Sequence, residues 1–428
     1  MKTDRSSRLS SLTPWLILAL LTVSAGVLET SQTQGMLPSL VPTVAAQEKV
    51  DAKRPAIEEK TLTGVKKDVV ATTVTSAKGT KPRTLVGGTF TEYSVAGGGP
   101  QLMAVAPDGS IFYCLGKTNK IGQIANPASA SEKLSVREFS IPTPNSFPEG
   151  IVVAADGMVW FTEQRAGNIA RLDPKDGVIS EYPIPTPNSG PVGITVGPDN
   201  NIWFTEAYSN KIGMLDPNNP QTMREFRIPT LVSAPIYITS GPDGGLWYVG
   251  SRSHKLGRID PRSFEFVEYP TLTRQAGPTS VITGPDGALW VSELAVDKIA
   301  RFDVAARKFT EEIPVDSKKN GARSGPGMLV NGPDGNIWFT EMLGNQIARL
   351  NPKTKEIYEF EAPSVTALAL VDSGPEACAE DVYTESYMLL KPGETQKPSG
   401  GPGGIVFSQD GSLWYGAIFA DRVARVVL

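Results

Sequence analysis

The chain has 428 residues, with 41 Lys and Arg against 45 Asp and Glu, one His and two Cys. A net charge of −4 and a pI near 5.4 argue against a nucleic-acid partner, which wants a basic face. A single His excludes a His-rich zinc site.

From the N-terminus, Lys2, Arg5 and Arg8 precede an apolar run from Trp15 to about Leu28. That order is the secretory pattern, and the run is short for a membrane span. Residues 1–30 therefore read as a signal peptide, cut after Ala25 or Ala46, or as an uncleaved anchor. Residues 31–85 are rich in Lys, Thr, Glu and Ala, and are expected to be a flexible linker. The expected location is secreted or periplasmic, with the protein tethered if the apolar run stays. No membrane span is expected in the mature domain.

Residues 86–428 carry an internal repeat. A turn Asp recurs at Asp108, Asp156, Asp199, Asp243, Asp286, Asp334 and Asp410, at intervals of 48, 43, 44, 43, 48 and 76. The copy from Gly193 holds four short β-rich runs separated by turn residues: Gly193–Gly197, Asn201–Glu206, Asn210–Pro217 and Arg224–Pro229. Four strands in about 45 residues is the period of a propeller blade, so the fold class is all-β, a seven-bladed β-propeller of four-stranded antiparallel blades. Thr89–Val95 reads as a fourth strand without its first three, and Asp421–Leu428 as a third strand without its fourth. The N-terminal strand should therefore complete the last blade and close the ring. The recurring second-strand aromatic (Phe112, Trp160, Trp203, Trp247, Trp290, Trp338, Trp414) reads as packing. The third-strand Arg (Arg171, Arg258, Arg301, Arg349, Arg425) reads as an inter-blade hydrogen bonder. The 76-residue interval reveals an insertion at about 362–400. It carries Cys378, on the loop face expected for Cys114, so the two either form a disulfide or remain buried thiols.

Candidate chemistry lies on the face where second strands end. Glu163, Glu206, Glu293 and Glu341 close those strands, with Leu115, Gly250 and Ala417 in the other blades. These carboxylates either rim a mouth that binds a ligand or a cation, Mg²⁺ included, or tie neighbouring blades. Glu149 stands where other blades have Val192, Ile236, Thr279, Gly327 and Gly403. Blade four departs from the pattern with Tyr248, Ser251, Arg252 and the lone His254, giving catalytic candidates His254, Tyr248, Arg252 and Glu149.

The phrases Asn201-Ile-Trp-Phe-Thr-Glu206, Asn210-Lys-Ile-Gly213 and Glu181-Tyr-Pro-Ile-Pro-Thr-Pro-Asn-Ser189 resemble the streptogramin B (virginiamycin B) lyases across about residues 86–428. The resemblance implies a seven-bladed propeller that opens a cyclic depsipeptide by Mg-assisted elimination at its ester. It also implies a Glu-Pro-His where this chain has Gly401-Pro402-Gly403, a second His at Gly327, and a Glu near Ala417 or Ile418. The expected function is therefore an exported, monomeric propeller binding a small molecule or a peptide or protein partner at its loop face without lyase chemistry. The alternatives are a metal-assisted lyase or hydrolase, with Tyr248, Arg252 or His254 assisting, and a cell-envelope scaffold. No cofactor is certain, and Mg remains the candidate.

Overall fold

The computed structural model describes residues 57–74, 85–129, 133–315, 323–363 and 401–428. Both candidate cleavage sites and most of the insertion, including Cys378, lie outside these residues. Strands dominate, and successive ones pair antiparallel. In blade 3, for example, Pro191–Val196, Ile202–Glu206, Lys211–Asp216 and Asn219–Arg227 form one sheet in chain order. Blades 2, 4 and 5 repeat this as separate four-stranded sheets. Blade 1 (from Pro100), blade 6 (from Pro326) and the last blade, numbered 7 (from Pro402), are ladders of the same kind inside a larger sheet. The first strands touch in succession, and the last, Pro402–Phe407, returns to Pro100–Val105. The fold is a β-propeller. Its closure is as the chain ends foretold: Leu85–Ser94 pairs with Arg422–Val427, from Thr89 opposite Val427 to Ser94 opposite Arg422.

The repeated residues have local reasons. Each second-strand Trp is buried, and all but Trp290, which packs with Ile313, stack on a fourth-strand aromatic, as in Trp203–Phe226 at 5.8 Å and Trp338–Phe360 at 5.4 Å. The turn Asp does three jobs at once. Asp243 accepts from the Gly245 amide at 3.2 Å and from Trp247 Nε1 at 2.9 Å, and its other oxygen takes Arg258 Nε at 2.7 Å. Asp286 repeats the set with Trp290 and Arg301. The expectation for Arg is corrected here: Arg258 and Arg301 lie directly opposite the Trp of their own blade, so they bond within the blade.

A second correction concerns the linker. Within 31–85, residues Ile57–Val74 form a strand laid along the outer edges of three blades. Ile57 to Thr63 pair with the fourth strand of blade 1, Gly64 to Ala71 with the closing strand of blade 7, and Thr72 to Val74 with the fourth strand of blade 6. This belt crosses both seams flanking the closing blade. Its composition misled because a strand on an outer rim needs few large apolar groups and is kept soluble by charge. Leu62 does pack on the core between blades 1 and 7, and Ile57 fills the space beside Gly177 of blade 2. Lys60 reaches Glu138 at 2.5 Å, a carboxylate also held by Lys120 at 3.0 Å.

Removing the belt should loosen ring closure. A chain starting at residue 57 should melt with the full-length protein, whereas one starting at residue 85 should melt roughly 5 °C or more lower and self-associate through bared edges. Equal melting temperatures for the two truncations, read by differential scanning calorimetry, would remove the belt from the stability of the ring.

Candidate functional site

Second strands end, and first strands begin, on one face: Glu206 pairs with Pro191, and Glu341 with Pro326. The four expected rim carboxylates are all there in sequence, yet none is exposed. The mouth reading therefore meets a different geometry. Three of the four are turned toward a fourth-strand Glu of their own blade that the sequence reading missed. Glu163 faces Glu181, Glu206 faces Glu225 and Glu293 faces Glu312. Burial, reinforced by these neighbouring carboxylates, pushes Glu163 up to about 9 and Glu206 and Glu293 up to about 8, so the inner members are neutral acids at pH 7. Among the described residues no group of three His, Cys, Asp or Glu is arranged to hold a metal ion. The residues present do not fit a magnesium ion.

The fourth-strand Glu occurs in every blade: Glu138, Glu181, Glu225, Glu268, Glu312, Glu359 and Glu92. Each lies opposite a Gly or Ala of the third strand, as Glu225 opposite Gly213 and Glu312 opposite Ala300. It clamps neighbouring blades. Thr143, on the connection leaving blade 1, gives its amide and hydroxyl to Glu181 of blade 2 at 2.8 and 2.9 Å. Thr273 does the same to Glu312 at 2.7 and 2.6 Å, and Lys298 also binds that carboxylate. Burial opposes ionisation of Glu312, but these hydrogen bonds outweigh it and hold the group below the usual carboxylate range. The signal was present as a Glu followed by an aromatic or aliphatic residue, as in Glu181-Tyr182 and Glu225-Phe226.

The blade-4 candidates are dispersed. Tyr248 is fully buried over Gly257 and packs edge-on against Phe266; burial, then the nearby Glu268, raises its phenol. Its counterparts Tyr113 and Tyr415 are likewise core residues. Arg252 is exposed on the loop. His254 adopts φ 54° and accepts the Gly277 amide on Nδ1 at 3.2 Å. Other blades, apart from blade 2 with Gly167, place Asn or Asp there: Asn210 accepts the Ser233 amide at 2.7 Å and Asp297 the Gly325 amide at 2.8 Å. The lone His is thus the blade-4 version of a loop tie. Glu149 is 2% exposed on the first strand of blade 2, close enough to Cys114 to add to the burial that raises that thiol. Cys114 is itself fully buried, with Sγ 3.9 Å from the Gly150 carbonyl oxygen.

The mouth has two characters. Gln101, Glu149, Gln164, Ser251 and Thr279 are buried polar residues on first strands or just beyond second strands. On the side of blades 5 to 7, Leu294, Met342 and Ile418 form one apolar cluster backed by Phe419. Met342 fills the space over Gly327: a Cβ there would lie 2.8 Å from its Sδ. Ile418 does the same over Gly403, at 2.5 Å from its Cδ1. Deeper in, Leu102, Ile151, Ile194, Tyr237, Met328 and Ile405 help to line a cavity of about 30 Å³. That is room for little more than a water.

The sequence pattern of the Virginiamycin B lyase family matches residues 30–230 and 196–370. The chain belongs to the virginiamycin B lyase family. A virginiamycin B lyase of Nocardia farcinica is 34% identical over 93 residues, 22% of this chain and 30% of that protein. The match thus spans less than a third of that curated relative. A solved streptogramin B lyase superposes with a TM-score of 0.64 at 29% identity, covering 79% of this chain and 97% of the other. A catalytically inactive histidine-to-alanine variant of the Staphylococcus aureus virginiamycin B lyase, solved with quinupristin, gives 0.63 at 27% identity, with 79% and 99% covered.

Two substitutions test the assigned roles. The raised Glu206 contributes stability that is complete below about 4.5 and lost as pH rises through about 8. Glu206→Gln keeps a donor toward Glu225, so its melting temperature relative to wild type should climb between pH 5 and pH 9; a constant difference would refute the neutral acid. For His254, burial lowers the pKa from 6.5, so its contribution is present above 6.5 and lost as pH falls through the lowered value. His254→Asn should retain stability and remove this acid sensitivity, whereas His254→Leu should cost about 1 kcal/mol at neutral pH in denaturant unfolding.

Proposed function

We propose that this protein is an exported, ligand-binding member of the virginiamycin B lyase family that lacks the family's ring-opening chemistry. One observation carries the reading. At the two positions where the resemblance implies histidines stand Gly327 and Gly403, and Met342 and Ile418 occupy the space a larger residue would need. Ala417, near which the resemblance implies a Glu, is 1% exposed. With no suitable carboxylate cluster among the described residues, no step is assigned to magnesium.

Binding is supported by what remains. The mouth carries both buried polar residues and the apolar cluster around Met342, a combination suited to a small molecule or peptide with both amide and hydrocarbon surface. The quinupristin complex of the inactive relative supports separating binding from catalysis. Export rests on the charged and apolar N-terminal pattern, and among the described residues no helix is long and apolar enough to cross a membrane.

The test is incubation of the full chain with a streptogramin B depsipeptide, with and without Mg²⁺, followed by chromatography and mass spectrometry. The ring should stay closed while calorimetry reports binding that Met342→Glu abolishes. A linear isomer of unchanged mass would establish elimination, because that reaction adds no water. A product heavier by one water would establish hydrolysis. Either product would overturn the binding-only reading.

A further inference from the structure

Four neighbouring loops on the mouth face of blades 3 to 5 are hydrogen-bonded in series. Asn210, at the end of the second-to-third loop of blade 3, accepts the Ser233 amide at 2.7 Å. Ser233, on the blade 3–4 connection, meets Ser253 Oγ at 2.8 Å, and its carbonyl accepts the Arg252 amide at 3.1 Å. His254 then accepts the Gly277 amide of the blade 4–5 connection. These bonds consume the polar atoms at the base of the loops. The crests are apolar: Leu231 is 75% exposed, Val232 63%, Leu272 57% and Tyr208 37%.

Val232 makes the patch unlike a scatter of surface hydrophobes. Its φ is 55°, at the position where the two preceding connections have Asn145 (φ 54°) and Asn188 (φ 52°). Asn tolerates this left-handed conformation, whereas a β-branched residue there is strained. Leu231 likewise stands where those connections carry Pro144 and Pro187. A strained, exposed Val has no benefit to the fold. The exposed charge carried by these loops has one sign. Arg227, Arg252 and Arg274 are exposed, and none of the loops 207–211, 227–234, 251–255 and 270–277 contains an Asp or Glu.

We propose that these crests dock on an anionic lipid bilayer. Four projecting side chains on three loops suit a fluid interface, which yields around each of them, better than a protein partner, which needs a matching surface of standard size. The arginines complement acidic headgroups. A contiguous basic segment is absent from the sequence; the fold assembles the basic surface from loops far apart in the chain. Docking by these loops would turn the mouth face toward the bilayer.

The test uses the full chain in a Cys378→Ser background, with an environment-sensitive dye on Leu231→Cys; the thiol of Cys114 is fully buried and out of reach. Vesicles of phosphatidylcholine mixed with phosphatidylglycerol should blue-shift the dye, and high salt should reverse the shift. The same dye on Ser263→Cys, on the opposite face of blade 4, should not respond. That control separates loop docking from any binding by the N-terminal apolar run. Val232→Asn, which restores the residue of the other connections, should fold at least as well. It and Arg274→Gln should each weaken vesicle binding roughly threefold to tenfold. No shift at position 231, or equal shifts at 231 and 263, overturns the proposal. A shift with soluble polyglutamate but none with vesicles would overturn it in favour of an acidic protein partner.

Discussion

The arrangement rests on a carboxylate withdrawn from water in the fourth strand of each blade. Taking a Glu out of water is costly unless hydrogen bonds and a cation satisfy it. In blades 3 to 5 the satisfaction comes from two directions: a Lys on the adjoining strand, as Lys298 to Glu312, and a Thr on the connection leaving the preceding blade, as Thr273. Because the Thr belongs to the neighbour, the carboxylate is content only when two blades are correctly juxtaposed. Desolvation thereby becomes a device for fixing the angle between sheets. The Thr-Pro-Asn-Ser connections are read most directly this way, with Thr bonding the next Glu and Ser bonding the loop Asn, as Ser146 to Asn119 at 2.7 Å.

The inner Glu follows from the same constraint. Beside an ionised Glu312 or Glu225, a second carboxyl can persist only as a neutral acid able to donate a hydrogen bond. Blades 1, 4 and 7 lack that acid and place a tyrosine two residues earlier, Tyr113, Tyr248 and Tyr415, over the small third-strand residue. The phenols lie near the same fourth-strand charge, but their hydroxyls have no hydrogen-bond partner among the described residues, so each tyrosine fills the space without replacing the acid's proton. Blade 5 has neither tyrosine nor phenylalanine there but keeps Glu293. The carboxylates that in sequence could either rim a mouth or tie blades are buried beside a fourth-strand charge, repeated because the blade is repeated.

Much of this was legible in the chain. The turn Asp and second-strand Trp set the blade period, and the incomplete strands at the two ends specified closure, because each of these signals is local. The belt was illegible because Lys60, Glu58 and Thr61 are residues of a soluble rim, and their pairing is set by edges far away in sequence. The orientation of Glu206 was illegible for a related reason. Strand alternation says which residues share a face, but not whether that face meets the channel or the next blade. His254 misled through its chemistry; only its equivalence to Asn210 and Asp297 shows that the imidazole serves as a hydrogen-bond acceptor for a neighbouring loop.

The same distinction between what repeats and what departs locates function. A residue shared by all blades, such as the fourth-strand Glu, is explained by the need to pack blade on blade. A residue that breaks the repeat without helping packing needs another explanation. Met342 and Ile418 break it by closing the space over two glycines and forming an apolar cluster. Leu231 and Val232 break it by placing hydrocarbon in water on a strained turn. Glu149 breaks it by burying a carboxylate on a first strand where other blades carry Gln, Val, Ile, Thr or Gly. These departures all lie on the face where the blade connections emerge. A propeller can alter that face because the Thr, Lys and Glu clamps between its blades do not depend on the side chains of the crests.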